Sequence, residues 1–381
     1  MSDAVVPFEI AVPEAEMDEL RRRLLEARWP DREVVADWSQ GAPLEVVREL
    51  VQYWRDSYDW RATERRLNEL PQFRTTIDGL PIHFVHLRSA RADAVPVVLT
   101  HGWPGSFLEF EQAAQRLVDP VAGGPACHVV VPSLPGFGFS GRPTEPGWTI
   151  HRIAEAWCQL MSRLGYDRFV AAGSDWGTSI STSIALHRPE RLLALHLVPP
   201  LVPPVRDGLT PAEQRALSDL DERTRTGSGY SAVHATRPQT LGYALTDSPA
   251  GLAAWIGEKL WTWADQRHGG LTVDQMLDDI SVYWFTRTAT SSTRLYWESI
   301  AEVSRWFTSQ TSDAIDVPTG ASVFPAEVPR PSRRWAQRRF RNLIHWGEPD
   351  RGGHFAAWEQ PDLFAAELRS TLQALAAGPE G

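Results

Sequence analysis

The chain has 381 residues, of which 43% are hydrophobic, enough to bury the core of one large domain. Its formal net charge of −10 argues against nucleic acid or an anionic membrane as a partner, because both attract basic surfaces. The two cysteines, Cys127 and Cys158, cannot build a disulfide framework and lack metal-ligand spacing. The N-terminus also lacks the basic start and apolar run of a signal peptide. The sequence therefore predicts a cytoplasmic protein that binds no metal and does not enter a membrane.

The first 72 residues precede the first clear strands and have a helical pattern. Met17, Leu20 and Leu24 recur at helical spacing, and a second helical stretch follows in PLEVVRELVQYWRDSYDW. Residues 1–72 are therefore predicted to form an N-terminal helical segment.

Strand and helix alternate from residue 73 onwards. Apolar, β-branched runs of the kind that lie buried in a parallel sheet are VPVVLTHG, CHVVVPSLPG, RFVAAGS and LLALHLV. Between two of them, TIHRIAEAWCQLMSRLG places its apolar residues on one helical face, with Thr149 able to cap its start and Gly165 to end it. Residues 73–204 are predicted to be the first part of an α/β core.

Residues 205–310 break this alternation with helical, tryptophan-rich sequence, and the strands GASVFPA and NLIHW resume it within residues 311–381. This order fits a mostly parallel sheet flanked by helices and interrupted by a helical lid. Such an insertion is expected over the C-terminal edge of the sheet, where sites form.

The stretch VAAGSDWGTS resembles a nucleophile elbow, in which a reactive side chain sits on a sharp turn from strand to helix. Between Gly173 and Gly177 the central residue is Asp175, and Ser174 lies one place too early. A carboxylate is already ionised at neutral pH and suits displacement at a strained or activated carbon, which gives an ester. Asp175 is the candidate nucleophile; a helix cap is its plain structural alternative.

Hydrolysis of such an ester needs a histidine that activates water and an acid that orients it. His354 lies in a glycine-rich loop beyond the last strand, whereas His345 lies inside a strand and is expected to be a packed histidine. Glu327 follows the penultimate strand and is the candidate acid. Asp350 and Glu348 are expected to be solvated loop charges.

The tetrahedral intermediate also needs backbone donors. We expect one to be the N–H of Trp176, directly after the nucleophile. The other is expected from THGWPGS, which follows the strand VPVVL, with the N–H of Trp103 as the candidate.

Taken together, several motifs resemble those of the microsomal-type epoxide hydrolases, which share the α/β-hydrolase fold. The resemblance spans nearly the whole chain and rests on PFEIAVPEAEMDELRRRLLEARWPD, HGWPGSFLEF, GSDWGTS, SSTRLYWES, VFPAEV and RGGHFAAWEQP. It implies an α/β-hydrolase core with a helical lid, Asp175 as nucleophile, His354 as base and Glu327 as its acid partner. It also implies Trp103 and Trp176 as oxyanion donors that border the substrate.

Two lid tyrosines are implied by the same resemblance. Tyr296 in SSTRLYWES and Tyr230 in GSGYSAVHATRPQT stand where the family has its donors to the epoxide oxygen. A neutral phenol can hydrogen-bond to or protonate the alkoxide that ring opening leaves. Tyr243 and Tyr283 have no such match.

The resulting hypothesis is an enzyme that needs no cofactor and converts an epoxide and water to a vicinal diol through an aspartyl ester. A haloalkane dehalogenase, with the same nucleophile, is the nearest alternative. A ligand-binding protein on this fold and a serine hydrolase acting through Ser174 are more distant ones.

Lid tryptophans favour a bulky or aromatic epoxide, in detoxification or secondary metabolism. Those considered are Trp255, Trp261, Trp263, Trp284 and Trp297. The sequence leaves a homodimer open.

Overall fold

The central sheet has nine strands among the residues that this computed structural model describes, which are 4–119, 124–308 and 313–378. The strands are β1 (Val6–Pro7), β2 (Gln72–Ile77), β3 (Leu80–Leu87), β4 (Val95–Thr100), β5 (Cys127–Pro132), β6 (Phe169–Ser174), β7 (Leu192–Val198), β8 (Thr319–Ser322) and β9 (Leu343–Gly347). Their order is β1-β2-β3-β5-β4-β6-β7-β8-β9. The pairs from β5 to β9 are parallel, and β1, β2 and β3 add an antiparallel edge.

Helices cover both faces of the sheet and form the lid. They are α1 (Glu14–Leu25), α2 (Leu44–Asp56), α3 (Trp60–Asn68), α4 (Glu111–Val118), α5 (Ile150–Arg163), α6 (Trp176–His187), α7 (Pro211–Gly227), α8 (Gly229–Thr236), α9 (Pro238–Asp247), α10 (Pro249–Trp263), α11 (Val273–Thr286), α12 (Ala289–Thr308), α13 (Arg333–Arg339), α14 (Ala356–Glu359) and α15 (Pro361–Ala377).

Helix α5 forms as its sequence pattern predicts. The side chain of Thr149 accepts a hydrogen bond from the Arg152 N–H at the start, and Gly165 follows the end with φ of 87°. The apolar face is buried, with Ile150 and Trp157 both at 0% exposure.

The N-terminal segment is not purely helical, because residues 6 and 7 form an edge strand that pairs with β2. Two residues are too few for periodicity to reveal a strand. The helices of this segment support the lid: the Trp54 indole donates to Ser281 Oγ at 3.0 Å, and the Tyr58 hydroxyl donates to Asp278 at 2.7 Å.

The lid consists of helices α7 to α12 and lies between β7 and β8 in the chain. The predicted boundary at residues 310 and 311 lies outside the described residues. Helices α8, α10 and α12 bring aromatic side chains against residues at the C-terminal ends of β4 and β6. None of the helices in the described ranges is long and apolar enough to cross a membrane.

Candidate active site

Asp175 occupies the turn between β6 and α6 in a strained backbone conformation. Its φ is 50° and its ψ is −121°, a combination that non-glycine residues rarely adopt. A reactive side chain held on such a turn is the defining geometry of a nucleophile elbow.

The flanking glycines are required by close packing against β4. A Cβ on Gly173 would lie 2.6 Å from the carbonyl oxygen of Thr100, and one on Gly177 would lie 1.8 Å from it. Both distances are shorter than any real contact, so only glycine lets β6 and α6 approach β4. This close packing shapes the turn that carries Asp175, which lies midway between the two glycines.

Ser174 is the last residue of β6, and only 3% of it is exposed. Its hydroxyl donates to the buried carboxyl of Glu109 at 3.4 Å. The histidine contacts of the elbow belong to Asp175 instead.

Two backbone donors converge on the Asp175 carboxylate. The N–H of Trp103 donates to Oδ1 at 2.9 Å, and the N–H of Trp176 hydrogen-bonds to the same carboxylate. The loop after β4 can come this close to Asp175 because residue 102 is a glycine. A Cβ on Gly102 would lie only 2.0 Å from Oδ1. The two predicted oxyanion donors therefore face one carboxylate.

His354 joins Asp175 to Glu327. Its Nε2 lies 3.7 Å from Asp175 Oδ2, and its Nδ1 lies 2.9 Å from Glu327 Oε2. Glu327 is 3% exposed, whereas the side chain of Asp350 is 81% exposed. Glu348 is also exposed, and the partly buried His345 contacts Glu367 instead of this site.

Asp175, His354 and Glu327 form the catalytic row of the site. Burial and charge shift the pKa values of His354 and Asp175. Burial alone would lower the pKa of His354, but the carboxylates of Glu327 and Asp175 outweigh it and raise that pKa to about 9. Burial raises the pKa of Asp175, against the opposing effects of His354 and the two backbone N–H groups. At neutral pH the histidine is therefore an imidazolium.

The predicted lid tyrosines contact the two tryptophans whose N–H groups face Asp175. The ring of Tyr296 meets the Trp176 ring edge to face at 4.8 Å, and the ring of Tyr230 stacks on Trp103 at 5.2 Å. The two tyrosine rings are 5.8 Å apart. Burial raises the pKa of both phenols, so both are neutral hydrogen-bond donors.

The other tyrosines lie elsewhere. Tyr243 is 71% exposed, and the buried Tyr283 donates its hydroxyl to the Gly105 carbonyl at 2.9 Å.

Only some of the predicted lid tryptophans border this site. The ring of Trp263 contacts His354 at 4.9 Å and Tyr230 at 5.2 Å. Trp261 and Trp297 are instead surface residues of the lid, 39% and 55% exposed. Helical position explains the difference between Trp261 and Trp263, because residues two apart on a helix face different directions.

His234 belongs to the site, although it was not among the candidates from the sequence. Its ring lies 4.5 Å from Trp103 and 4.9 Å from Tyr296, and its Nε2 accepts the Trp255 indole N–H at 3.1 Å. Burial and the nearby Lys259 lower its pKa to about 3, so it is neutral. Its spacing of four residues from Tyr230 on one helix was the available signal.

Two family models match the chain. The model for the epoxide hydrolase N terminus matches residues 5–110, and the model for the alpha/beta hydrolase fold matches residues 95–229. Within the described part of the chain, no cluster of three or more His, Cys, Asp or Glu could hold a metal ion.

Similar proteins align over nearly the whole chain. A provisionally named epoxide hydrolase of Stigmatella aurantiaca is 50% identical, with 98% of this chain and 86% of the relative covered. Epoxide hydrolase 1 of Sus scrofa is 33% identical, with coverages of 97% and 89%.

Among solved structures, the epoxide hydrolase of Aspergillus niger superposes with a TM-score of 0.88 at 32% identity, covering 98% of this chain and 97% of that one. The juvenile hormone epoxide hydrolase of Bombyx mori gives 0.85 at 29% identity, with coverages of 99% and 95%. These matches confirm the prediction of an α/β-hydrolase core with a helical lid.

Proposed function

This chain belongs to the microsomal-type epoxide hydrolase family and is an epoxide hydrolase, and on that premise we propose that it works through a covalent ester on Asp175. The arrangement of Asp175 carries the proposal: its carboxylate meets two backbone N–H groups and His354, with two neutral tyrosines in the lid above.

In the first step, an Asp175 oxygen attacks an epoxide carbon and the carbon–oxygen bond of the ring breaks. The oxygen that is released takes a proton from Tyr296 or Tyr230, which leaves a hydroxyl group on the bound ester. The phenols suit this task because burial keeps them protonated until the alkoxide forms.

In the second step, His354 takes a proton from water as the hydroxide adds to the ester carbonyl carbon. The N–H groups of Trp103 and Trp176 stabilise the oxyanion, and Glu327 stabilises the imidazolium. Collapse releases the diol, whose oxygen takes the proton from His354. The carboxyl proton left on Asp175 restores the phenol.

The charges favour this order of events. In the free enzyme, the Asp175 carboxylate helps to raise the pKa of His354. Ester formation removes that negative charge, so the pKa of His354 falls and the imidazolium releases its proton to solvent. The neutral ring can then accept a proton from the attacking water. The nucleophile thus prepares its own base for the second step.

The aromatic surroundings support a bulky or aromatic epoxide as substrate. Rings within contact distance of one another above Asp175 are those of Trp103, Trp176, Tyr230, His234, Trp263 and Tyr296. Such a lining accommodates flat apolar groups. Detoxification or secondary metabolism would supply such compounds. A homodimer and a cytoplasmic location stay predictions from the sequence.

A haloalkane dehalogenase would use the same nucleophile but would have no use for two phenol donors. The family membership also favours the epoxide. Chloride release, measured beside diol formation on matched substrates, separates the two activities.

The test of the covalent mechanism is a single-turnover mix of His354→Gln with styrene oxide, followed by intact-protein mass spectrometry. We expect one equivalent of epoxide to open and the protein to gain one substrate mass, because the base for the second step is missing. Asp175→Ala is the control and should gain none. An unmodified His354→Gln protein would refute the covalent ester.

A further inference from the structure

The backbone of the loop that carries His354 is held almost entirely by groups outside the catalytic row. Residues 352–355 form this loop, and each of their four N–H groups has a defined acceptor. The N–H of His354 donates to the Trp263 carbonyl at 3.0 Å, at the end of lid helix α10. The N–H of Gly352 donates to Asp265 Oδ2 at 3.1 Å.

The other two N–H groups donate to Glu359, at the end of α14. Gly353 reaches its carboxylate at 3.1 Å, and Phe355 reaches Oε1 at 3.0 Å. The same carboxylate accepts the N–H of Asp265 at 2.6 Å. One side chain therefore holds three backbone donors, two from the His354 loop and one from the lid.

The loop also packs too closely against the lid for a side chain at Gly353. A Cβ on Gly353 would lie 2.7 Å from the Trp263 carbonyl oxygen and 2.8 Å from the Asp265 nitrogen. Asp265 is 1% exposed, and its carboxylate also accepts from Arg267 and His268. The loop and the end of α10 thus form one connected unit.

We propose that Glu359 is a positioning residue for the second half-reaction, holding the His354 loop against the end of α10 so that the imidazole stays aligned with the ester. The two carboxylate oxygens of Glu359 together accept all three N–H groups. A glutamine of the same size would offer one oxygen and turn an NH₂ group towards backbone donors.

Glu359 should therefore affect a different step from the ring opening that Asp175 and the tyrosines carry out. Ring opening uses the carboxylate of the elbow and the phenols of α8 and α12, none of which Glu359 touches. Ester hydrolysis depends on the position of His354, because a misplacement of about 1 Å can cost about 100-fold in rate. Loss of Glu359 should therefore slow hydrolysis and spare alkylation. The inference rests on the proposed ester mechanism.

The test compares Glu359→Gln with the wild-type enzyme in single-turnover reactions with styrene oxide. Burial raises the pKa of Glu359 to about 7, against its backbone N–H partners, so the reactions are run at about pH 8.5, where the carboxylate is ionised. Quenched samples are weighed by intact-protein mass spectrometry. Adduct formation gives the alkylation rate, and adduct decay gives the hydrolysis rate.

For Glu359→Gln we expect hydrolysis to slow by about 10- to 100-fold, with alkylation within about twofold of wild type. The adduct should then accumulate. The matched control is Glu348→Gln, since Glu348 is an exposed carboxylate that accepts the Trp346 indole N–H at 3.0 Å. This control should match the wild type in both steps.

A parallel fall in both rates, or no change in either, would overturn the positioning role. If Glu359→Gln does not fold, Gly353→Ala decides, because it strains the same contact and should give the same selective loss. The His354→Gln reaction is run alongside. Its failure to form an adduct would refute the ester mechanism, whereas an adduct there with normal hydrolysis in Glu359→Gln would refute only this inference.

Discussion

The core half of the site and the lid half are held by different kinds of contact. In the core half, Asp175 is fixed by backbone hydrogen bonds and by glycines that no other residue can replace. In the lid half, Tyr230 and Tyr296 are placed mainly by ring contacts with Trp103, Trp176 and Trp263. Ring contacts permit small rotations that backbone hydrogen bonds do not.

The two kinds of contact correspond to the two half-reactions of the site. The group that must be aligned in both steps lies in the rigid half. The donors used only in ring opening lie on lid helices α8 and α12. Mutations in the two halves should therefore affect different steps.

The largest effect is expected from the nucleophile itself. Asp175→Ala should abolish diol formation, because no other group in the row can form the ester. Ser174→Ala should keep most activity, since its hydroxyl contacts Glu109. Diol assays by chromatography check both variants. Substantial turnover by Asp175→Ala would show that Asp175 is not the nucleophile, and the division into a core half and a lid half would lose its basis.

The next effect concerns the acid behind His354. Glu327→Gln should slow ester hydrolysis by roughly 10³- to 10⁴-fold, as in other triads that lose the orienting carboxylate. Asp350→Asn should have little effect, because Asp350 is exposed and outside the row. Adduct decay in single turnovers measures both. Equal losses would mean that the wrong carboxylate was assigned.

The lid half should show the opposite pattern. Tyr296→Phe removes a donor to the developing alkoxide, a loss of about 2–4 kcal/mol or roughly 30- to 900-fold in alkylation. No adduct should build up, since hydrolysis stays intact.

If Tyr230 shares this task, Tyr230→Phe will keep some activity and the double variant almost none. Abundant adduct on the double variant would show that ring opening needs neither phenol. The rate of adduct formation measures all three variants.

The two halves also differ in how far the sequence predicts them. The elbow, the oxyanion loop and the positions of Glu327 and His354 follow strands, and their local patterns of glycine and apolar residues locate them. In the lid, Trp261 and Trp263 looked equivalent in the sequence, yet only Trp263 reaches His354. That choice depends on how α10 is rotated against its neighbours, which long-range packing decides.

His234 and Glu359 were missed for the same reason. The role of a buried polar side chain depends on which groups of other elements surround it. For Glu359 those groups include the N–H of Asp265, 94 residues away in the chain. No local pattern contains that contact.

The smallest expected effect is a shift in the pH at which His354 becomes a base. In the free enzyme its pKa is raised to about 9: burial lowers it, and the charges of Glu327 and Asp175 outweigh burial. Conversion of Asp175 to a neutral ester removes one raising charge and leaves Glu327, so the pKa must fall. Hydrolysis needs the neutral imidazole, so its rate should rise with pH to a plateau whose midpoint lies below the free-enzyme value. Adduct decay at a series of pH values gives this midpoint, and NMR titration of labelled His354 in the free enzyme gives the reference. Alkylation instead needs the Asp175 carboxylate, whose pKa burial raises, so its rate should decline as the pH falls through that raised pKa. Coincidence of the hydrolysis midpoint with the free-enzyme titration would show that the Asp175 charge does not control the base.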